Sequence, residues 1–251
     1  MNITRTGERY GIVADVHANL QAFEAVLAYL DREGVDTIWC LGDVVGYGGD
    51  PSACVALTRE RCAGTVRGNH DVAVIDEVTR LWFNPHAREA IERQARLLGE
   101  DDLAWLRSLP ATVDLPGATL THSGFADPDA FDYVLTTYHA AVEFQALTTN
   151  LGFVGHTHVP AAWRWTREDD VEPYLLPEGE LVPLAGARWI INPGAVGQPR
   201  DGDPRAGCAI LDTREGSLRY ARIEYDVAAA QEAIARAGMP TIEAARLARG
   251  I

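Results

Sequence analysis

Short apolar runs that break off in Asp, Asn or His recur five times along the chain. They are Ile12-Val13-Ala14-Asp15-Val16-His17, Trp39-Cys40-Leu41-Gly42-Asp43, Thr65-Val66-Arg67-Gly68-Asn69-His70-Asp71, Thr119-Leu120-Thr121-His122 and Phe153-Val154-Gly155-His156-Thr157-His158. Runs of this length between glycines and polar residues predict strands. After the first, Leu20, Phe23, Val26, Leu27 and Leu30 repeat with helical spacing, with Asn19 to cap the start and Gly34 to end the helix. Residues 37 to 41 form the next strand, so the chain opens as β-α-β and its first two strands run parallel. A glycine-rich loop (42–49) follows, Asp50-Pro51 opens a second helix, and a third strand covers about 64–67. Each of these units delivers polar side chains at a strand's C-terminal end, where open α/β sheets place their sites. The arrangement predicts a metal centre at one edge of a sheet.

Residues 72–110 read as helical, either a cap over that centre or plain packing. Asn84-Pro85 opens one helix through Leu98, and Asp101-Asp102 opens another with Leu103, Leu106 and Leu109 on one face. From Thr112 the pattern predicts strands at about 112–115, 118–122, 153–155, 161–166, 188–192, 207–212 and 218–225, with a helix at 138–148. The stretch 191–200 is a turn-rich loop too long for a simple hairpin, and helices at 228–238 and 242–250 close the chain. No repeat or low-complexity linker divides residues 1–251, so one α/β domain is expected. Its first half is β-α-β and its second half more antiparallel, giving two packed sheets with helices outside.

Charge narrows the partners. Twenty-two basic against 36 acidic side chains leave a net charge of −14, which argues against an extended nucleic acid, because Lys and Arg supply most of that affinity. A small phosphorylated substrate stays compatible, since bound cations reverse the local field. Cys40, Cys54, Cys62 and Cys208 have no metal-type spacing and read as thiols in a reducing cytosol. Met1 to Gly7 lacks the apolar core of a leader, and no run reaches the ~20 apolar residues of a membrane span. A cytoplasmic location is expected, and nothing marks an oligomeric state.

Asp-x-His and His-x-His place two ligands on one side of an extended backbone. The set mixes carboxylate, amide and imidazole without thiolate, which suits Mn, Fe, Zn or Ni and is unlike cysteine-rich structural zinc. Two cations about 4 Å apart need a bridging anion, and Asp43 is the candidate; such a pair turns a shared water into hydroxide and clamps a phosphoryl group for in-line attack. An imidazole just outside could protonate the leaving group or stabilise its charge.

These blocks resemble the calcineurin-like metallophosphoesterases, whose motifs run D-x-H, G-D, G-N-H-D/E, H and G-H-x-H. Here they are Asp15-Val16-His17, Gly42-Asp43, Gly68-Asn69-His70-Asp71, His122 and Gly155-His156-Thr157-His158, in order, over the first two thirds of the chain. The late Asn192-Pro193-Gly194-Ala195-Val196-Gly197-Gln198-Pro199-Arg200 stretch is similar to that of small bacterial phosphodiesterases of the YfcE type. The resemblance implies a four-layer α/β/β/α sandwich of two mixed sheets. It implies one ion, with manganese favoured, on Asp15, His17 and His158, and a second on Asn69, His122 and His156. Asp43 would bridge them, and His70 would be the acid or transition-state stabiliser, oriented by Asp71.

One departure bears on the substrate. Related protein phosphatases and diadenosine-tetraphosphate hydrolases carry Gly-Asp-x-Val-Asp-Arg-Gly, and Tyr47 stands here in place of that arginine. A monoester dianion needs more positive charge than a diester monoanion, so the loss favours a small diester such as a cyclic nucleotide over a phosphomonoester. Gly46, Gly48 and Gly49 are expected to leave room for a second ester substituent. Arg200 and Arg205 read as surface residues, His86 and His139 join no motif, and Ser123 lacks a nucleophile elbow. A non-catalytic scaffold would have lost ligands, and none is missing.

Overall fold

The computed structural model describes residues 7–166 and 171–251; Met1 to Thr6, most of the stretch read above as lacking a leader, falls outside them. The first half is β1 (Arg9–Val13), α1 (Leu20–Arg32), β2 (Thr37–Cys40), α2 (Pro51–Arg61), β3 (Cys62–Thr65) and α3 (Asn69–Ala73). Helices α4 (Glu77–Arg80), α5 (Pro85–Leu97) and α6 (Glu100–Ser108) follow. The second half is β4 (Thr112–Leu115), β5 (Ala118–Thr121), α7 (Thr137–Ala146), β6 (Leu151–Phe153), β7 (Ala161–Trp165), β8 (Glu172–Tyr174), β9 (Leu181–Pro183), β10 (Arg188–Asn192), β11 (Ala206–Asp212) and β12 (Ser217–Ile223). Helices α8 (Val227–Arg236) and α9 (Thr241–Leu247) end the chain.

Two six-stranded mixed sheets result, in the orders β3-β2-β1-β11-β12-β9 and β4-β5-β6-β10-β7-β8. Alternation along single strands builds the layers. Tyr10 and Ile12 of β1, Ala209 and Leu211 of β11, and Trp189 and Ile191 of β10 share one core with Leu120 and Phe153, between the sheets. The intervening Val13, Cys208 and Ile210 pack instead with Phe23, Val26 and Leu30 of α1 on the outer face of the first sheet. Ile190 turns to Phe144 of α7 on the outer face of the second. Each such fully buried aliphatic or aromatic side chain contributes about 1.5–3 kcal/mol. The expected sandwich is present.

The second half is mostly antiparallel, as expected, with two features the pattern did not announce. The centre of the second sheet is parallel, β5 with β6 and β6 with β10; α7 supplies the crossover for the first pair, and the chain passes through β7, β8 and β9 before the second. Strands β8 and β9 were not anticipated; each has only three residues, mostly exposed. The 193–205 loop is long because it carries the chain from β10 in one sheet to β11 in the other. Asn19 caps α1 through Ala22 N at 3.1 Å, as its position predicted. No helix among the described residues is long and apolar enough to cross a membrane.

Candidate metal centre

Five strand ends meet, but not at one sheet's edge. β1, β2 and β3 belong to the first sheet and β5 and β6 to the second, so the centre lies at the seam between them. Within each sheet, backbone hydrogen bonds tie neighbouring strand ends together: Gly155 N donates to His122 O at 2.8 Å, Asp15 N to Gly42 O at 3.0 Å and His17 N to Asp43 O at 2.8 Å. Between the sheets, His156 N donates to both carboxylate oxygens of Asp15, at 3.1 and 3.2 Å.

The side chains fall into two groups that share one residue. Asp15, His17, Asp43 and His158 bring their ligand atoms together in one, and Asp43, His122 and His156 in the other; all six are buried. Asn69 joins the second group, its Oδ1 lying 3.2 Å from His122 Nε2. Asp43 Oδ2 is 3.5 Å from His17 Nε2 and 3.4 Å from His122 Nε2. The structure thus brings together the residues that the resemblance grouped.

Hydrogen-bond bookkeeping shows whether cations fit. His17 Nδ1 lies 2.9 Å from Val45 O, and His158 Nδ1 2.6 Å from Gln198 O. A carbonyl only accepts, so both Nδ1 atoms carry the proton. Burial holds both imidazoles well below their ordinary pKa, hence neutral. Their Nε2 lone pairs therefore face each other at 2.9 Å with no proton between. That contact is repulsive unless a cation lies there. Asp43 Oδ2 is likewise buried without a hydrogen-bond partner among the described residues. The donor set fits a pair of divalent ions.

Electrostatics divide the site. Burial pushes Asp15 up to about 7, even against the pull of His122. Burial would raise Asp43 too, but His122, His70 and His17 hold its carboxyl below the usual range. Burial lowers His122, yet Asp43 outweighs it and leaves the imidazolium with a pKa of about 9. Burial takes His70 down to about 4 and, with the His122 charge, His156 to about 3.

Backbone conformation carries a further mark. Asp15 (φ 55°), His17 (47°), Asp43 (52°), His156 (67°) and His158 (61°) all adopt the left-handed region, as does Tyr47 (57°). Each costs roughly 1–2 kcal/mol for a residue with a Cβ. Clustered strain of this kind persists where surrounding structure over-determines a working geometry.

Asp71 does not orient His70. Its carboxylate accepts from the amides of Asp43 (2.8 Å), Val44 (2.9 Å), Val45 (3.3 Å) and Gly68 (2.9 Å), tying the Asp43 loop to α3. His70 Nδ1 is buried without a hydrogen-bond partner among the described residues. The two are consecutive on a helical turn, and neighbours one apart do not face each other. The glycine loop also differs from expectation. A methyl at Gly48 would strike the carbonyls of His17 and Ala18, one at Gly49 the backbone of Ala233, and one at Gly46 the His70 ring. The room they leave is filled by protein.

A cleft of about 320 Å³ opens over Asp43, Asn69, His70, His156 and His158. Helix α4 and the residues after it supply Thr79, Trp82, Phe83 and Asn84 to its wall, so part of the 72–110 region lines the cleft. Its two ends differ. Beside the second group, Tyr133 stacks on His156 with ring centroids 4.2 Å apart, and Phe131 lies close. Beside the first group, Tyr47 packs on His17 (4.7 Å) and His70 (4.5 Å), and Arg200 and Arg246 lie over its ring at 5.5 and 5.8 Å. Arg200 is thus a wall of the cleft rather than a surface residue. Arg205 is absorbed by ion pairs with Asp203 (2.6 Å) and Glu178 (2.8 Å).

Sequence reasoning also missed Gln94. Buried in α5, it accepts from Gly46 N at 2.5 Å and donates to Gly48 O at 2.7 Å, holding the Tyr47 loop from outside. A polar residue among the buried positions Ala87, Ala90 and Ile91 was the available signal. His86 is exposed, Ser123 donates to Pro128 O at 3.2 Å, and all four cysteines are free.

Residues 9–216 match the family model of the calcineurin-like phosphoesterase superfamily domain, and the chain belongs to that superfamily. It is similar to the protein MJ0912 of Methanocaldococcus jannaschii, at 33% identity over 91% of this chain and 93% of that one. Its fold superposes on the crystal structure of a metallophosphoesterase from Sphaerobacter thermophilus with a TM-score of 0.87 and 43% identity, covering 97% of this chain and 99% of that one. PH1004 of Pyrococcus horikoshii shares the fold at a TM-score of 0.75 and 17% identity, over 97% and 98% of the two chains.

Proposed function

We propose that this phosphoesterase-family chain hydrolyses small phosphate esters at a dinuclear metal centre. The observation that carries the reading is Asp43 Oδ2, buried, without a hydrogen bond among the described residues, and placed where the two ligand groups meet. Two divalent cations held by Asp15, His17, His158 and by Asn69, His122, His156 would supply Lewis acidity and an activated water, with manganese preferred over Fe, Zn and Ni. Asp43, which belongs to both groups, would be the shared carboxylate.

The remaining residues position and stabilise. With its pKa near 4, His70 is neutral at working pH, so it acts by donating a hydrogen bond to charge developing in the transition state rather than as an imidazolium acid. Asp71 keeps the loop bearing Asp43 in place. The net charge of −14 fits a small cytoplasmic substrate better than a polyanion.

A small phosphodiester is the preferred class. The supporting feature is now the two-ended cleft, since the glycine loop offers no spare room: an ester with two substituents can set one against Tyr133 and Phe131 and turn the other away from them. A phosphomonoester is the second reading, favoured by the guanidinium of Arg200 beside Tyr47. Turnover of the manganese-loaded protein on matched aryl phosphate monoester and diester substrates separates them. A higher kcat/KM on the diester is expected, and a higher value on the monoester would overturn the preference.

A further inference from the structure

Arg200 is held by an arrangement that also holds the metal centre. Its amide donates to His158 O at 3.2 Å. Its Nε and Nη2 donate to Gln198 Oε1 at 3.3 and 2.9 Å. The main-chain oxygen of the same Gln198 takes the His158 Nδ1 proton, and its side-chain amide donates to Glu243 Oε2 at 3.0 Å. Glu243 in turn pairs with Arg246 at 3.5 Å. One glutamine thus fixes both a ligand imidazole and the neighbouring guanidinium.

What Arg200 lacks is a counter-ion. Among the described residues no carboxylate lies within ion-pairing distance of it, whereas Arg205 has two and Arg246 has Glu243. Its partners are neutral: the Gln198 amide oxygen and the Tyr47 ring, 5.5 Å away. It is partly buried and lines the cleft with His70 and His158. A cation so placed, next to a site that collects further positive charge, is costly unless an anion completes the set. Guanidinium is the side chain whose fork matches two oxygens of a phosphoryl group.

We propose that Arg200 is the substrate's phosphate grip, contacting non-bridging oxygens of the reacting phosphoryl group from the 193–205 loop. It does the work of the arginine absent at position 47, and Tyr47 serves as its platform. This deepens the phosphoesterase reading above and rests on it for the identity of the anion. The Tyr47 substitution then moves the positive charge rather than removing it.

The test compares Arg200→Ala and Arg200→Lys with the unaltered protein, all loaded with manganese. Three quantities are read: bound metal, the dissociation constant of inorganic phosphate by calorimetry, and kcat/KM on aryl monoester and diester. The expected result for Arg200→Ala is unchanged metal content, phosphate affinity weaker by roughly 10- to 100-fold, and a similar fall in kcat/KM that is larger for the monoester. Arg200→Lys should fall between, since it keeps charge and loses the fork. Partial rescue of Arg200→Ala by added guanidinium ion is expected. Unchanged phosphate affinity in a metal-replete Arg200→Ala protein would overturn the proposal, as would metal loss in both variants, which would make Arg200 a support for His158. An unaltered protein that binds phosphate through Arg200 yet turns over neither ester would sink the phosphoesterase reading and leave the grip standing.

Discussion

Replacing Asp43 by Asn alters one atom at the point where the two ligand groups meet. Asp43 Oδ1 accepts from His70 N at 2.8 Å, and an asparagine oxygen keeps that bond, so the loop retains its path. What disappears is the charge on Oδ2, 3.4–3.5 Å from the ring nitrogens of His122 and His17. Two unit charges about 4 Å apart interact by about 4 kcal/mol at an effective dielectric constant of ~20. Taking that as a floor for a divalent ion, each ion loses roughly three orders of magnitude in affinity. The assay is metal analysis after equilibrium dialysis against micromolar manganese, with thermal melting in and out of metal. The unaltered protein should retain two ions and melt higher with metal; Asp43→Asn should retain one at most and lose most of that rise. An Asp43→Asn protein that still holds two ions at the original affinity would refute the bridging role.

His70→Ala should lower kcat by some two to four orders of magnitude with metal content intact, because the ring lines the cleft and the residue's bond to Asp43 is made by its main-chain N, which alanine keeps; unchanged turnover would remove it from the mechanism. Manganese loading at about pH 8 should release at least one proton, measured by calorimetry in buffers of different ionisation enthalpy. In the metal-free protein His122, near 9, is then still charged, while Asp15, near 7, has ionised. Proton release that is absent at pH 8 would contradict the His122–Asp43 coupling. The same pair fixes a sign for metal-free stability. The folded pKa of His122 lies above its ordinary ~6.5, so its contribution is complete below that pH and is lost as pH rises through about 9. Gly68→Ala would drive a methyl into the carboxylate and amide of Asp43. It should cost at least about 2 kcal/mol in urea unfolding, and an unshifted midpoint would count against the packing described.

Local signals carried most of the ligand set. Each ligand stands at the end of a short apolar run, and a strand followed by Asp-x-His or His-x-His needs no distant partner to be legible. Which sheet each strand joins was not legible, because β5 and β6 find their neighbours through pairings far apart in sequence; hence a site at the seam was read as a site at an edge. Left-handed backbone at Asp15, His17, Asp43, His156 and His158 leaves no trace where glycine is not used. Asp71 beside His70 invited a partnership that helical geometry forbids. The glycines at 46, 48 and 49 read as space for substrate, and protein backbone and the His70 ring occupy that space. Arg200 looked like any loop arginine until the fold laid residues 193–205 against the Tyr47 loop.

Activity followed against metal equivalents decides whether two bridged ions carry turnover. The metal-stripped protein is titrated with manganese while turnover of an aryl phosphate ester and the electron paramagnetic resonance of the bound ions are recorded together. Expected are no turnover without metal, a spin-coupled signal as two equivalents load, and turnover that rises with that coupled signal. Full turnover in the stripped protein, or at one equivalent with no coupled pair, would contradict a dinuclear centre bridged by Asp43.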